Sequence, residues 1–523
     1  LMLPLPVTPT RKIAPLPVAS TENQPQQLQV MPLNATALGG FAPSYNTDFT
    51  GDKFAGGFGA TSLFELDYWT LRERSKQLFT ENLYAQGIIN RLVTNEINIG
   101  LTPDVMPDEL VLGVESGSLD DWTDMVENRF ELWSGSPELC DQRGEMTFGG
   151  IQRAARMMSL IGGDVLVTLS QDSKTKLPQI NLYDGQSVQS PMTFEIAKGH
   201  TLRHGVERNK RGKVVAYWVT KDNQDGLGFE FERIKARSNR TGRRNAWLVY
   251  GSGELRHDEV RGVPMLGIVL QSLKEIDRYR DSTQRKAVVN SIMAMFIKKT
   301  EDKLSTLPMR NGALDNGTIT VDSGTTSRQI NTSTMIPGLV AEELQTGEEP
   351  VLLGGQGTDV NFGTFEQAII SAVAWCYEVP PEILTLSFSS NYSASQAAIN
   401  EFKVYLRKVW SQWGDYFCKP IYHEWLLSEV LLGKIEARGF LESWLDPTQY
   451  DTRTAWLCST WYGTVKPSTD AVKQGKGSLM FIESGLSTHA REAREINGSK
   501  FAKNIKKLQR ENESRSYAPA CRV

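Results

Sequence analysis

Residues 378–402 read EVPPEILTLSFSSNYSASQAAINEF, and this stretch carries the strongest clue to the fold. Two consecutive prolines end an apolar segment, and a strongly periodic helix is predicted to begin after Ser395, where Ser393 and Gln396 have the spacing of a capping box. The segment between them is rich in hydroxyl groups but has no His, Asp, Lys or Cys to activate one. Its composition therefore favours a connecting loop without chemistry of its own.

A second informative segment lies upstream, where residues 263–298 are predicted to form one helix. At about 1.5 Å per residue, such a helix is roughly 50 Å long. Both ends are apolar, whereas the centre, KEIDRYRDSTQRK, carries charges of both signs. Two interpretations stay open: an isolated structural helix, or a helix that packs side by side with copies of itself.

The remaining segments have distinct patterns. Residues from about 60 to about 260 combine amphipathic helices with short alternating strands, which predicts an α+β unit. Residues 299–362 break into short β-like pieces, and helical patterns return over 363–379 and 396–450. Residues 1–45 are rich in Pro, Gln, Asn and Thr, which is typical of an extended tail.

Composition limits the class of protein. The 523 residues are 40% hydrophobic and 23% charged, as in folded globular proteins. The formal net charge of −4 argues against a broad basic face that grips nucleic acid, but not against a conduit through which nucleic acid slides. No run of 18 apolar residues occurs, so no membrane partner is expected. The five cysteines are scattered, which indicates free thiols in a reducing compartment.

No catalytic motif survives inspection of the sequence. KQGKGSLM is not a phosphate-binding loop, because Lys476 is followed by Gly477 rather than by Ser or Thr. His423 begins a zincin-like pattern, but Leu427 stands where the second histidine is required. We therefore expect no catalytic residue, no metal site and no cofactor.

The hydroxyl-rich loop leaves two interpretations open. It is either an ordinary surface loop between helices or a loop that faces a polymer and contacts it weakly. Hydroxyl groups, Asn391 and the rings of Phe388 and Tyr392 suit contact that is blind to sequence.

The order of these parts resembles that of a known family. The sequences that carry the resemblance are NLYAQGIINRLVTNEINIGL, MTFGGIQRAARMMSLIGGDVLV, RGVPMLGIVLQSLKEIDRYRD, EVPPEILTLSFSSNYSASQAAINEF and IESGLSTHAREAREINGSKF. Together they span about 80–505 and are similar to the core of tailed-bacteriophage portal proteins of the lambda type. The chain departs from the family at Asp164, where Glu is frequent, and in a loop with less Asp and Gly.

The resemblance implies a fold and its divisions. The implied fold is α+β, a portal-type multidomain protomer with long stem helices, a small β-containing clip, an α/β wing and a helical C-terminal crown. The implied divisions are an extended N-terminal tail (1–45), the first part of the wing (46–262), a stem helix (263–298), the clip (299–362), a second stem helix (363–379), a tunnel loop (380–395), a tunnel helix with the return to the wing (396–450), and the crown with a C-terminal tail (451–523).

The resemblance also implies a structural role. Twelve copies form a ring at one capsid vertex, through which double-stranded DNA is packaged and ejected without sequence specificity. The implied partners are the major capsid protein, the scaffold, the large terminase subunit and the head–tail connector or completion protein. The implied location is the virion, after assembly in the host cytoplasm. The alternatives are another ring-forming head–tail protein, although adaptors tend to be shorter, and an unrecognised α+β enzyme.

Two groups of candidate residues follow from the resemblance. The DNA-channel group comprises Ser387, Phe388, Ser389, Ser390, Asn391, Tyr392, Lys403, Arg407 and Lys408. The stem group, expected to form complementary ion pairs between neighbouring subunits, comprises Lys274, Glu275, Asp277, Arg278, Arg280, Asp281, Arg285 and Lys286. As an alternative, the three basic residues of the channel group pair with Glu401, with Asp415 or with neighbouring subunits.

Overall fold

The structure is a computed structural model, and the segments that it describes are residues 68–115, 117–191, 197–222, 229–252, 259–291, 295–299, 318–322, 327–331, 348–352, 362–387, 392–463 and 471–517. The tail predicted at 1–45 and loop residues 388–391 lie outside these segments. The described parts contain both helices and strands, as the sequence predicts.

Helices run through the described chain from its first residue to its last. In chain order they are α1 (Tyr68–Glu81), α2 (Leu83–Glu96), α3 (Glu109–Leu112), α4 (Asp120–Gly135), α5 (Pro137–Cys140), α6 (Phe148–Gly162), α7 (Leu270–Ser291), α8 (Phe362–Cys376), α9 (Pro381–Thr385), α10 (Tyr392–Trp413), α11 (Lys419–Leu431), α12 (Phe440–Leu445), α13 (Tyr450–Leu457), α14 (Ala471–Glu483), α15 (His489–Asn497) and α16 (Phe501–Tyr517).

The strands form small antiparallel sheets. In chain order they are β1 (Thr102–Val105), β2 (Asp164–Gln171), β3 (Pro178–Asp184), β4 (Thr201–Arg203), β5 (Val206–Arg208), β6 (Val214–Asp222), β7 (Phe229–Lys235), β8 (Ala246–Tyr250), β9 (Met295–Lys299), β10 (Thr318–Asp322), β11 (Ser327–Asn331), β12 (Glu348–Leu352) and β13 (Ser459–Tyr462). One sheet has the order β3-β2-β8 and another β4-β5-β6-β7, while β1 pairs with β13, β10 with β11, and β9 with β12.

Two buried clusters hold these elements together. The larger one centres on aromatic rings of α4, α6 and α11, where Phe130 packs edge-to-face against Phe148 and Trp425. The smaller one joins the three-stranded and four-stranded sheets through side chains such as Leu166 and Val219, both with no exposed surface. Burial of these apolar side chains is the main source of stability for the fold.

Helix α6 shows how local sequence fixes an element. Thr147 caps its N-terminus by accepting a hydrogen bond from the Gly150 amide at 3.4 Å. In its first turn, a Cβ on Gly149 would lie 2.1 Å from the carbonyl oxygen of Ile99, so only glycine permits this approach. The backbone turns into β2 at Gly163, which has a φ of 93°.

The long helix predicted over 263–298 is wrong in its extent. Met265–Gly267 forms a 3₁₀ turn, α7 begins at Leu270 and ends at Ser291, and the final apolar run includes strand β9. Helix α7 is therefore about 33 Å long rather than 50 Å. At the N-terminal end, Gly267 disfavours an α-helix. At the C-terminal end, the short apolar run fits a helix or a strand equally well by pattern, and its pairing with β12 makes it a strand.

The predicted loop boundaries are also wrong. Helix α9 occupies part of 380–395, and α10 begins at Tyr392 rather than after Ser395. Ser393 therefore lies inside the helix and is not its N-cap, and the helix predicted over 363–379 ends at Cys376. A capping-box spacing is only a local signal, and local propensity is a weak determinant of where a helix begins.

A buried carboxylate at the start of β2 ties together distant parts of the chain. Asp164 has no exposed surface and accepts hydrogen bonds from Arg72 at 2.5 Å and from Arg261 at 2.7 and 2.9 Å. Burial alone would raise its pKa, but the two guanidinium groups lower the pKa well below the usual range. The same Arg261 also donates to the carbonyl oxygens of Val188 and His204, which fixes the chain just before α7.

We predict that Asp164→Asn destabilises the fold by about 3–5 kcal/mol, because two buried guanidinium groups lose the ion pairs that they make with this carboxylate. Urea unfolding at pH 7 measures this change in the free energy of unfolding. The depressed pKa means that the contribution of Asp164 is present above about pH 4 and is lost as the pH falls further. The unfolding free energy of the variant should therefore fall less steeply below pH 4 than that of the unmodified protein. A comparable loss in the exposed control Asp121→Asn would contradict the assignment.

Candidate DNA-channel segment

Helix α10 presents one buried face and one face to solvent. Phe402, Leu406, Val409, Trp410 and Trp413 are buried at helical spacing. On the other side, Arg407 and Lys408 are exposed and Lys403 is half-buried. The sequence prediction that these three basic residues lie on the polar side of the helix agrees with their exposure.

Helix α10 is anchored by a buried carboxylate on α2. Glu96 accepts hydrogen bonds from the Tyr405 hydroxyl and from Arg156 Nε of α6, each at 2.5 Å, and its backbone carbonyl accepts one from Trp410 Nε1 at 2.7 Å. Burial and Glu96 together raise the pKa of Tyr405 well above its usual range, so the hydroxyl remains a donor. Sequence reasoning missed Glu96; its one signal is a carboxylate that interrupts the apolar periodicity of α2.

The connection from α10 to α11 passes through a π-helical turn, Gly414–Cys418. Pro420 follows at the start of α11 and has no N–H to donate to the carbonyl of Tyr416 four residues earlier. That carbonyl instead accepts a hydrogen bond from Trp247 Nε1 of β8 at 2.9 Å. The irregular turn therefore attaches the helix to the three-stranded sheet.

The exposed basic residues of α10 have partners within the chain. Lys408 pairs with Glu378 at 2.9 Å and Arg407 lies 3.9 Å from Glu495. Asp415, one of the partners in the alternative interpretation, instead pairs with Lys419 one turn later. The Lys408–Glu378 pair is solvent-exposed and the Arg407–Glu495 pair is long, so both are weak and leave the cations available to an anionic ligand.

Little of the hydroxyl-rich loop falls within the described residues. Ser387 is exposed, and its amide donates a hydrogen bond to Thr385 Oγ1 at 3.4 Å. Phe388, Ser389, Ser390 and Asn391 lie outside the described segments, and Tyr392 is the first residue of α10 rather than a loop residue. Leu386, with a φ of 58° and 56% exposure, turns the chain away from α9.

Several charged side chains in the centre of α7 form ion pairs with one another. Arg278 pairs with Glu275 at 3.1 Å, and Arg280 pairs with Asp277 at 2.9 Å and lies 3.7 Å from Asp281. Within the described residues, no ion pair forms at the exposed side chains of Lys274, Arg285 and Lys286. Fewer charged side chains are therefore available for ion pairs with a neighbouring subunit than the sequence suggests. The three named here without an ion pair are all cationic.

Helices α7 and α8 pack together and onto α2. Tyr279 contacts Phe362 and Phe365 of α8, with ring centroids 5.6 and 4.8 Å apart. Tyr84 of α2 donates a hydrogen bond to Glu366 of α8 at 2.7 Å, and burial followed by this carboxylate raises the pKa of Tyr84 to about 12. At the junction of α1 and α2, Asn82 caps α2 and donates to the carbonyl of Leu273.

Titratable groups in the described residues form no obvious reactive centre. No group of three metal-ligating side chains lies close together in the described segments. The described histidines have structural contacts: His200 lies 2.7 Å from Glu207, and burial lowers the pKa of His423 to about 4. Among the described helices, none is both long and apolar enough to cross a membrane.

Comparison with known proteins defines the class of this chain. Residues 49–409 match the model of the family described as phage portal protein, lambda family. Because this match covers more than half of the chain, the chain belongs to the lambda family of phage portal proteins. Proteins of this family are structural, so the expectation that the chain is not an enzyme is confirmed.

Two curated relatives agree with this family. The portal protein of Escherichia phage N15 is 24% identical over 360 residues, which are 67% of this chain and 66% of that protein. Portal protein B of Escherichia phage lambda is 22% identical over 428 residues, 80% of this chain and 79% of that protein. A solved structure, the neck of a native GTA particle computed with C12 symmetry, covers 80% of this chain and 92% of its own at 12% identity and a TM-score of 0.38.

We predict that Glu96→Gln destabilises the protein by about 3–5 kcal/mol, because it leaves the buried Arg156 without a counter-charge. Lys408→Gln is the matched control, since it removes an exposed ion pair from α10, the helix that Glu96 anchors, and should cost about 1 kcal/mol or less. Chemical unfolding followed by tryptophan fluorescence measures both. Equal losses in the two variants would contradict the anchoring role of Glu96.

Proposed function

We propose that this chain assembles into a dodecameric ring at one vertex of a tailed-phage capsid. The ring is the channel through which double-stranded DNA is packaged and ejected, and it docks the large terminase subunit and the head–tail connector or completion protein. The major capsid protein and scaffold surround it during assembly in the host cytoplasm. Family membership supports this proposal, and so does the anchoring of α10 by Glu96 beside a polar loop.

The exposed cations of α7 that lack ion pairs within the described residues support assembly between identical copies. A closed ring uses two different surfaces on each copy, so exposed cations on one surface require anions on the next. Lys274, Arg285 and Lys286 lack ion pairs within the described residues, which leaves them available for such contacts. Ion pairs of this kind set the register between neighbours more than they add affinity.

The chemistry of the loop before α10 supports passage of DNA rather than capture. Residues 386–391 read LSFSSN and carry no charge. Each phosphate that is gripped by Lys or Arg adds a salt-dependent attraction, which would oppose sliding. Hydroxyl groups contact the duplex without that penalty.

Native mass tests ring assembly. Twelve copies of a 58.4 kDa chain amount to about 700 kDa, and negative-stain images of the same sample should show particles with a central hole. Particles one subunit heavier would also be rings. A monomer that persists at high protein concentration would contradict the proposal.

The loop has its own test. We predict that deletion of 386–392 leaves the number of subunits in the ring unchanged but reduces DNA packaging or retention, because the deleted residues contact the duplex and do not hold subunits together. In-vitro packaging with a nuclease-protection readout measures this. Loss of ring formation in the deletion variant would instead assign the loop a structural role.

A further inference from the structure

An acidic chain carries a concentrated patch of positive charge on its four-stranded sheet. Residues 208–221 and 233–253 contain eleven Lys and Arg side chains and no Asp or Glu, although the net charge of the protein is −4. Strand pairing brings the two stretches together, because Ala216 is opposite Lys235 and the Ala236 amide donates to the carbonyl of Val215 at 2.8 Å. The turn between β5 and β6 therefore lies beside the connection from β7 to β8.

Some of these cations are neutralised within the chain and the rest are not. Arg233 pairs with Glu207 at 2.7 Å, Arg243 with Glu424 at 2.8 Å, and Lys221 with Glu232. Arg208 and Arg244 are half-buried. Six others are exposed and form no ion pair within the described residues; we call them the basic-turn patch: Lys210, Arg211, Lys213, Lys235, Arg237 and Arg240. The pKa of Arg244 is lowered mainly by burial and secondly by the positive charge of the neighbouring Arg237. Positive charges at the edge of the patch therefore repel one another.

The backbone beneath the patch is held in place. Asn209 accepts hydrogen bonds from the amides of Arg211 and Lys213, at 2.9 and 3.0 Å. In the second turn the Gly242 amide donates to the carbonyl of Ser238 at 3.0 Å, and Trp444 Nε1 donates to the carbonyl of Thr241 at 3.1 Å. A polyanion would therefore meet a formed surface and would not have to order the turns.

We propose that the basic-turn patch binds the phosphate backbone of double-stranded DNA, at a surface separate from α10 and its preceding loop. The choice of DNA as the polyanion rests on the proposed function. No large apolar side chain between residues 133 and 267 is strongly exposed in the described segments, so the patch lacks the apolar anchors of a protein interface. Phosphate contacts need only cations and hydrogen-bond donors, and Ser238 and Asn239 add donors among the cations.

Binding of duplex DNA to the full-length protein tests the proposal. Fluorescence anisotropy is measured with two duplexes of unrelated sequence, over about 50 to 200 mM salt. The patch variants are K210Q/R211Q/K213Q and K235Q/R237Q/R240Q, and the matched control K476Q/K506Q/K507Q removes three exposed cations from α14 and α16. Thermal unfolding and native mass are recorded on the same samples.

The expected result is equal affinity for both duplexes. Each patch variant should bind roughly a hundredfold more weakly at ~0.1 M salt, and the slope of log K against log salt should become shallower by about 3. The control variant should retain the unmodified affinity, and K210R/K213R/K235R should retain it as well because the charge is kept.

Three results would overturn the proposal. They are unchanged affinity in both patch variants, an equal loss in the control variant, and binding of the unmodified protein to soluble polyglutamate but not to DNA, which would assign the patch to an acidic protein partner. If a patch variant loses thermal stability, the lysine-to-arginine variant decides, because it keeps the positive charge. Loss of DNA affinity in that variant would count against the proposal. Native mass reads ring assembly separately, so the two proposals can fail independently.

Discussion

The buried carboxylate of Glu96 is the constraint on which the candidate channel segment depends. It joins α2 to α6 through Arg156, which is 60 residues from Glu96 in sequence, and to α10 through Tyr405, which is 309 residues away. A buried ion pair adds little stability compared with apolar packing, but breaking it leaves a charge without a partner. Such a contact therefore selects one position for α10 more strongly than it stabilises the fold. Asp164 plays the same part for the segment that leads into α7.

The sequence predicts the types of most elements well and their ends less well. The amphipathic pattern of α10 and the β-like pieces near β10 and β12 are predicted correctly, because burial of one face leaves a periodic trace. The C-terminal end of α7 is not, because the pairing of β9 with β12 is a long-range event, and the start of α10 is not, because the capping-box spacing at Ser393 is a weak local signal. Local propensity cannot report either one.

The candidate site was predictable in composition but not in pairing. Sequence places Lys403, Arg407 and Lys408 on the polar side of α10, and the structure agrees. The partners of Arg407 and Lys408 are Glu495 and Glu378, the first of them 88 residues away, so neither follows from helical spacing. The sequence alone identifies neither Glu96 nor the basic-turn patch as a site. In both cases the site forms only when segments that are distant in sequence come together in the fold.

If both proposals hold, the distribution of charge separates two kinds of contact with one polymer, double-stranded DNA. Phosphate contacts made by cations depend strongly on salt, whereas contacts made by hydroxyl groups do not release counterions. An uncharged loop before α10 therefore suits DNA that must move, and six cations without ion pairs in the described residues, on two turns and the adjoining end of β7, suit DNA that must be held. A chain with a net charge of −4 can combine both only if its cations are concentrated. The absence of Asp and Glu from 208–221 and 233–253 achieves that concentration without making the whole surface adhesive to nucleic acid.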